Sequence, residues 1–207
     1  MSLLSIHPTL PANGQIVLAP GDALLVVDLQ NDFLPGGALG IVGGDILLPV
    51  LRRYCDRFVD RKLPIIFSRD WHPPRHCSFA EQGGPWPVHC VAETPGSLAP
   101  PQFQIPTTAT MIHKATKRTK DVYSVFEDTP LHQELKRERV TRLFIGGLAT
   151  DYCVLYSVRD ARRLGYRVCL LLDGIAAVDR IPGDGQRAID EMLRLGAVPI
   201  RLESLAA

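Results

Sequence analysis

"RLFIGGLATDYCVLYSVRDARRLG", residues 142 to 165, changes its period halfway through. From Leu143 to Ala149 it is apolar at consecutive positions, as a strand covered on both faces must be. From Thr150 the apolar residues fall instead at Val154, Val158 and Ala161, one face of a helix that stops at Gly165. A strand buried on both sides that runs straight into an amphipathic helix is the building unit of a parallel sheet sandwiched between helix layers.

The same unit repeats along the chain. Short apolar runs recur as "ALLVVDL" (23 to 29), "LPIIFS" (63 to 68), "RVCLLLDG" (167 to 174) and "VPIRLE" (198 to 203). Helical spacing fills the gaps. "GDILLPVLRRYCDRFVDRK" (44 to 62) offers Asp45 as N-cap and Pro49 in its first turn; "DTPLHQELKRER" (128 to 139) offers Asp128 as cap and Pro130 in its first turn. "DGQRAIDEMLRLG" (184 to 196) spaces Ile189, Met192 and Leu193 helically and ends at Gly196. The expectation is a three-layer α/β/α domain over residues 1–207 with a mainly parallel central sheet. It is interrupted by an irregular, Pro-, Gly- and His-rich loop at about 70–106, of a length that compact domains keep for function.

Composition narrows the partners. Of 207 residues 46% are hydrophobic and 22% charged, with a formal net charge of +1, so neither a disordered chain nor a basic nucleic-acid face is indicated. Small molecules, or further copies of the chain, are the expected partners. Cys55, Cys77, Cys90, Cys153 and Cys169 are odd in number and scattered, which points to reduced thiols and a cytoplasmic location. No apolar run has membrane-spanning length, and "MSLLSIHPTLPANG" at the start lacks the pattern of a leader, so a soluble, unprocessed protein is expected.

Open parallel sheets bind ligands beyond the carboxyl ends of their strands. Four segments deliver chemistry there: Asp28 after "ALLVV", Asp70 after "LPIIFSR", Lys114 after "TMIH" and Cys153 beyond "FIGGLAT". With Thr150 as N-cap, Cys153 lies in a first helical turn, where unpaired N–H groups favour a thiolate; a small buried core residue is the alternative. Asp28 can exchange a proton with that thiol or cap the next turn, and Lys114 can hold the pair electrostatically. Asp70 and His72 share one side of an extended chain, and His76 or His89 can complete a metal site that suits zinc, iron or manganese. A polar Pro-rich turn is the plain alternative.

Taken together, "VVDLQNDFLPGGAL", "RDWHPPRHCSF", "GPWPVHCVAETPGS", "IHKATKRTKDVYSVF" and "GLATDYCV" resemble, in order, the motifs of the nicotinamidase branch of the isochorismatase-like cysteine hydrolases. The resemblance spans residues 23 to about 180. It implies that Asp28 is the catalytic acid, Lys114 the lysine and Cys153 the nucleophile. Asp70, His72 and His89 are the implied ligands of one divalent metal, zinc ahead of iron or manganese, and His76 is a ligand in some relatives only. Phe33, Trp86, Tyr123 and Leu148 line the implied substrate pocket. The peptide between Leu148 and Ala149 is expected to be cis, with the N–H groups of Ala149 and Cys153 as oxyanion hole. The implied activity is hydrolysis of nicotinamide to nicotinate and ammonia through a thioester, with pyrazinamide as a further substrate and NAD salvage as the setting. Three rivals are a metallohydrolase in which Cys153 only packs, a hydrolase of isochorismate or a carbamoyl compound, and a metal-dependent binding module.

Overall fold

The structure is a computed structural model that describes residues 15–206, so the leader reading of the first residues lies outside it. Six strands, β1 (Asp22–Val27), β2 (Ile65–Asp70), β3 (Thr110–Lys114), β4 (Arg142–Leu148), β5 (Arg167–Ala176) and β6 (Val198–Ile200), form one sheet in the order β3-β2-β1-β4-β5-β6, with every pair parallel. The expected mainly parallel three-layer α/β/α fold is the observed one. The chain winds from β1 outward to β3, returns to the middle, and winds the other way through β4 to β6. β1 and β4 therefore flank the switch point of the sheet.

Alternate strand residues feed two cores. Leu24, Val26, Phe67 and Phe144 face one side, where α1 (Leu47–Asp60) packs through Leu47, Leu51, Tyr54 and Phe58. That i, i+3/i+4 stripe is what the sequence spacing encodes, and each fully buried Leu or Phe in it contributes about 1.5–3 kcal/mol. Ala23, Leu25, Val27, Leu143 and Ile145 face the other side, against α2 (Leu131–Arg137), α3 (Leu155–Arg163) and α4 (Asp184–Arg194). Of the four α-helices among the described residues, α1 alone lies on the first side because β1-to-β2 is the one helical crossover made in that winding direction; right-handed crossovers in the opposite direction put their helices on the far face. The irregular segment between β2 and β3 completes the first layer, with Phe103 edge-on to Phe67.

Local expectations hold with some corrections. Pro49 sits in the first turn of α1, but Asp45 is not its cap: a 3-10 turn, Gly44–Ile46, runs directly into the helix, and no side chain caps it. Asp128 is not the cap of α2 either. It has φ +56 and its carboxylate meets Lys117 and Lys120, at 2.8 and 3.2 Å, while Pro130 occupies the N-cap and Thr129 Oγ1 accepts from the Leu131 N–H at 3.3 Å. α3 ends as read: Gly165, φ +91, lets the Tyr166 N–H reach the Ala161 carbonyl at 3.0 Å. In α4 the buried seam is Ala188 and Met192, with Ile189 and Leu193 half-buried beside it.

No helix among the described residues is long and apolar enough to cross a membrane.

Candidate active site

The sheet order brings Lys114, Asp70 and Asp28 to adjacent strand ends, with Cys153 just past the end of β4. Asp70 and Lys114 are register partners at the ends of β2 and β3. Asp28 follows β1 with φ +47, a left-handed backbone that is uncommon for a non-glycine residue and recurs at functional sites. Cys153 lies in a π turn, Thr150–Val154, that opens onto α3. Ala149, not Thr150, holds the cap position, with extended φ and ψ. The turn begins one residue earlier than the hydroxyl suggests, and Cys153 is still in the first turn. The Leu148–Ala149 peptide is cis, as expected.

Gly147 makes this junction possible. Its φ is +115, and a Cβ there would run into the backbone of Val27. Only glycine lets β4 come so close to β1 at the switch point. Asp28 and Cys153 are neighbours as a result.

Asp28, Lys114 and Cys153 are all buried. Lys114 Nζ donates to the Cys153 sulfur at 3.3 Å, to the Val122 carbonyl at 3.3 Å and to Asp70 Oδ1, and lies 3.0 Å from Asp28 Oδ2. The last contact is off the hydrogen-bonding direction, so Asp28 Oδ2 is buried without a hydrogen-bond donor. A carboxylate oxygen from each of Asp28 and Asp70 and the Cys153 sulfur lie within 4.8 Å of one another.

Burial dominates the electrostatics of this cluster. It pushes the Cys153 thiol well up; Lys114 opposes it, and the two carboxylates reinforce it. Desolvation of the sulfur and its acidic neighbours thus works against the thiolate that the first-turn N–H groups favour. Burial also raises the Asp28 carboxyl, against the pull of Lys114. Lys114 is held well above its ordinary range: burial works against its charge, but Asp28 and Asp70 outweigh that. Asp70 is the reverse. Burial lifts it, yet Lys114 and the neighbouring imidazoles overcome that and hold it well below the usual carboxylate range. A neutral thiol, a carboxyl that is readily protonated and a fixed ammonium can pass a proton from sulfur to carboxylate without moving a heavy atom far.

Beside this cluster, donor atoms of Asp70, His72 and His89 lie within 4.8 Å of one another, all three buried. The irregular loop builds the group. The His72 N–H donates to the Cys90 carbonyl at 3.0 Å, and the Ala92 N–H returns to the His72 carbonyl at 2.8 Å, so the His89–Cys90 segment runs alongside His72. His89 Nδ1 donates to the Pro87 carbonyl at 2.8 Å, which leaves Nε2 as its electron-pair donor. Both ring nitrogens of His72 are buried without a hydrogen-bond partner, Nε2 being 3.6 Å from Asp70 Oδ2. Buried imidazole nitrogens are seldom left so, and a carboxylate with two imidazoles is a donor set that a divalent cation satisfies. The residues fit a metal.

His76 stands outside the group. Its ring stacks on His72 at 4.2 Å, but Nε2 donates to the Lys120 carbonyl at 3.0 Å and Nδ1 meets Ser78 Oγ at 2.7 Å. Both nitrogens are committed.

Aromatic side chains lie close by. Phe33 lies 5.7 Å from the His89 ring, and Trp86 Nε1 donates to the Tyr123 hydroxyl at 3.0 Å. Tyr152, which sequence reasoning passed over, stands edge-on to Trp86 at 4.9 Å and 5.5 Å from Tyr123. Leu148 and Ala149 are buried.

Three polar residues behind the cluster were also missed. Buried Gln30 accepts from the Asp70 N–H and donates to the Asp70 carbonyl, both at 2.8 Å. Asp32 Oδ2 accepts from the Cys90 N–H at 2.7 Å and so steadies the His89 segment. Ser68 Oγ donates to Asp28 Oδ1 at 2.6 Å. The first two occur in "DLQNDF", directly after Asp28, where the sequence signal available was proximity alone. Two surface grooves among the described residues run along α3, one of them between α3 and α4 beside Tyr152.

Comparison with known proteins points the same way. The chain is 39% identical over 199 residues to a nicotinamidase of Escherichia coli, covering 86% of this chain and 93% of that one. Among solved structures, the pyrazinamidase of Pyrococcus horikoshii in complex with zinc superposes with a TM-score of 0.84 at 42% identity, over 88% of this chain and 100% of that chain. The PnC1 protein of L. infantum in complex with nicotinate gives 0.85 at 32% identity, over 93% and 99%. The isochorismatase domain model matches residues 22–204, and the chain belongs to the isochorismatase domain family.

Proposed function

We propose that this protein is an amidohydrolase that converts nicotinamide to nicotinate and ammonia through a thioester on Cys153, and that it also accepts pyrazinamide. The observation that carries the reading is the convergence of Asp28, Lys114 and Cys153, from three separate strand ends, into one buried hydrogen-bonding cluster. The likeness to relatives named nicotinamidase or pyrazinamidase supports the substrate class. NAD salvage is the setting that this activity implies.

Asp28 takes the proton of Cys153, and the sulfur attacks the carboxamide carbon. A buried thiol needs this base within reach, since its own ionisation is suppressed. The backbone N–H groups of Ala149 and Cys153 receive the developing oxyanion. The proton held on Asp28 then goes to the departing nitrogen as the C–N bond breaks. The raised carboxyl suits it to hold that proton until ammonia leaves. Water, deprotonated by the same carboxylate, hydrolyses the thioester. Lys114 stays charged throughout and steadies both the carboxylate and the sulfur.

Asp70, His72 and His89 hold the metal in this reading, zinc before iron or manganese. When bound, a divalent cation supplies a Lewis-acid grip for a ring nitrogen. Phe33, Trp86, Tyr123 and Leu148 select a flat ring and exclude water, which orients the amide toward Cys153.

Ammonia release from nicotinamide, compared between the wild type and Cys153→Ala, tests the reading. The variant is expected to fold normally and to lose about a thousandfold or more of turnover. A folded variant with near-normal turnover refutes the cysteine mechanism. Release from ureido or carbamoyl compounds in preference to the two azine carboxamides refutes the substrate assignment.

A further inference from the structure

Ser68 lies on β2, two residues before Asp70, and is buried among polar groups that the mechanism uses. Its hydroxyl makes two bonds to one residue. Oγ accepts from the Asp28 N–H at 3.2 Å and donates its single proton to Asp28 Oδ1 at 2.6 Å. The first bond helps hold the left-handed backbone of Asp28, which is also tied by the Gln30 N–H donating to the Asp28 carbonyl at 2.9 Å. The second bond makes the two carboxylate oxygens different. Oδ1 carries a short bond from a neutral donor, while Oδ2 faces Lys114 at 3.0 Å and has no hydrogen-bond donor.

We propose that Ser68 is a positioning residue for the proton transfer: by occupying Oδ1 it leaves Oδ2 as the one oxygen that takes the Cys153 proton and later returns it. This rests on the assignment of Asp28 as the acid and Cys153 as the nucleophile. In the forward step the S–H bond breaks, an O–H bond forms at Oδ2, and the sulfur electron pair attacks the carbonyl carbon. In the return step the Oδ2 proton passes to the amide nitrogen as the C–N bond breaks. Without the Ser68 hydroxyl, both oxygens of Asp28 lack a donor and the carboxylate can turn about its Cα–Cβ and Cβ–Cγ bonds. Lys114 then attracts either oxygen equally. The transfer geometry, and not the ring pocket, is what suffers.

Ser68→Ala is therefore expected to lower kcat by about tenfold to a hundredfold, the worth of a hydrogen bond to a charged group, with KM within about twofold of wild type. Ser68→Thr, which keeps the hydroxyl, is expected to restore kcat to within about threefold. A second readout needs no amide substrate. Alkylation of Cys153 by iodoacetamide at fixed neutral pH, followed by mass spectrometry, should slow by about tenfold or more in Ser68→Ala and recover in Ser68→Thr. Because this arm reports thiol deprotonation directly, it stands even if nicotinamide proves to be the wrong substrate. A Ser68→Ala protein that keeps its fold by circular dichroism and alkylates at the wild-type rate overturns the proposal. Equal losses in the Ala and Thr variants overturn it too. So does a purely structural effect, in which melting temperature falls while kcat and alkylation stay unchanged.

Discussion

Lys114→Met removes the cation from a buried cluster of charges while keeping an unbranched stem of similar reach. The ammonium lies 3.0 Å from Asp28 Oδ2 and also donates to Asp70. At that separation a pair of unit charges attracts by about 5–6 kcal/mol with an effective dielectric constant near 20. Part of this offsets desolvation of the ions, and breaking a buried pair by deleting one partner costs about 3–5 kcal/mol net. Set against a total stability of about 5–15 kcal/mol, such a loss removes a large share of it at neutral pH. The deficit must depend on pH with a definite sign. In the wild type Asp70 is held below its ordinary range, so its stabilising contribution is present above the unfolded-state value and lost only as pH falls through the low folded-state value. In the variant the pull of Lys114 is gone: burial and Asp70 drive Asp28 further up, and Asp70 rises too, opposed only by the imidazoles of His72 and His89. The destabilising effect of the two carboxyls is absent while they are protonated and grows as pH rises through their raised values. The two stability curves should therefore converge in acid and separate toward neutral pH. Urea unfolding followed by circular dichroism, with a chelator present so that no cation replaces the lysine, measures the difference. A deficit under about 1 kcal/mol, or one of the same size at every pH, refutes the account of Lys114 as the counter-charge of the site.

Removing the metal with a chelator should raise KM for nicotinamide much more than it lowers kcat, since the Asp70, His72 and His89 group is assigned to holding the ring. Unchanged KM with abolished turnover contradicts that assignment. Gly147→Ala should cost several kcal/mol, from about 1–3 for a positive φ together with about 1–3 for overpacking against Val27. Chemical denaturation reads the loss, and a wild-type midpoint with full activity refutes the claim that glycine is required where β4 meets β1.

Most of the sheet was legible because buried parallel strands are apolar at every position, as "ALLVV" and "LFIGGL" are. β3 was not among the apolar runs. "TMIHK" is an edge strand with Thr110 and His113 exposed, so its pattern carries half the signal. The two caps were misread for different reasons. Asp128 serves two lysines, and Asp45 is absorbed into a 3-10 turn. In the site, the residues that bear the chemistry are types whose presence at a strand end is itself informative. Ser68 and Gln30 are not. A serine or glutamine in a sequence is silent about whether it is buried, and their importance depends on reaching forty residues along the chain to Asp28 and Asp70. The burial that works against a thiolate at Cys153 was hidden for a related reason: a position in a turn is visible in sequence, whereas the extent of desolvation is a property of the packed fold.

Asp70 belongs to two machines at once. One oxygen is bound by Lys114, and the other faces His72. An engineer who wished to change which ring this protein accepts would naturally rebuild the loop histidines and the ion they favour. Any such change redistributes charge on a carboxylate that the lysine also holds, and the lysine in turn touches the sulfur. Ring preference and proton chemistry are therefore not separable design variables here. Variants selected for a new heterocycle should carry compensating changes around Lys114, and libraries confined to the loop should stall.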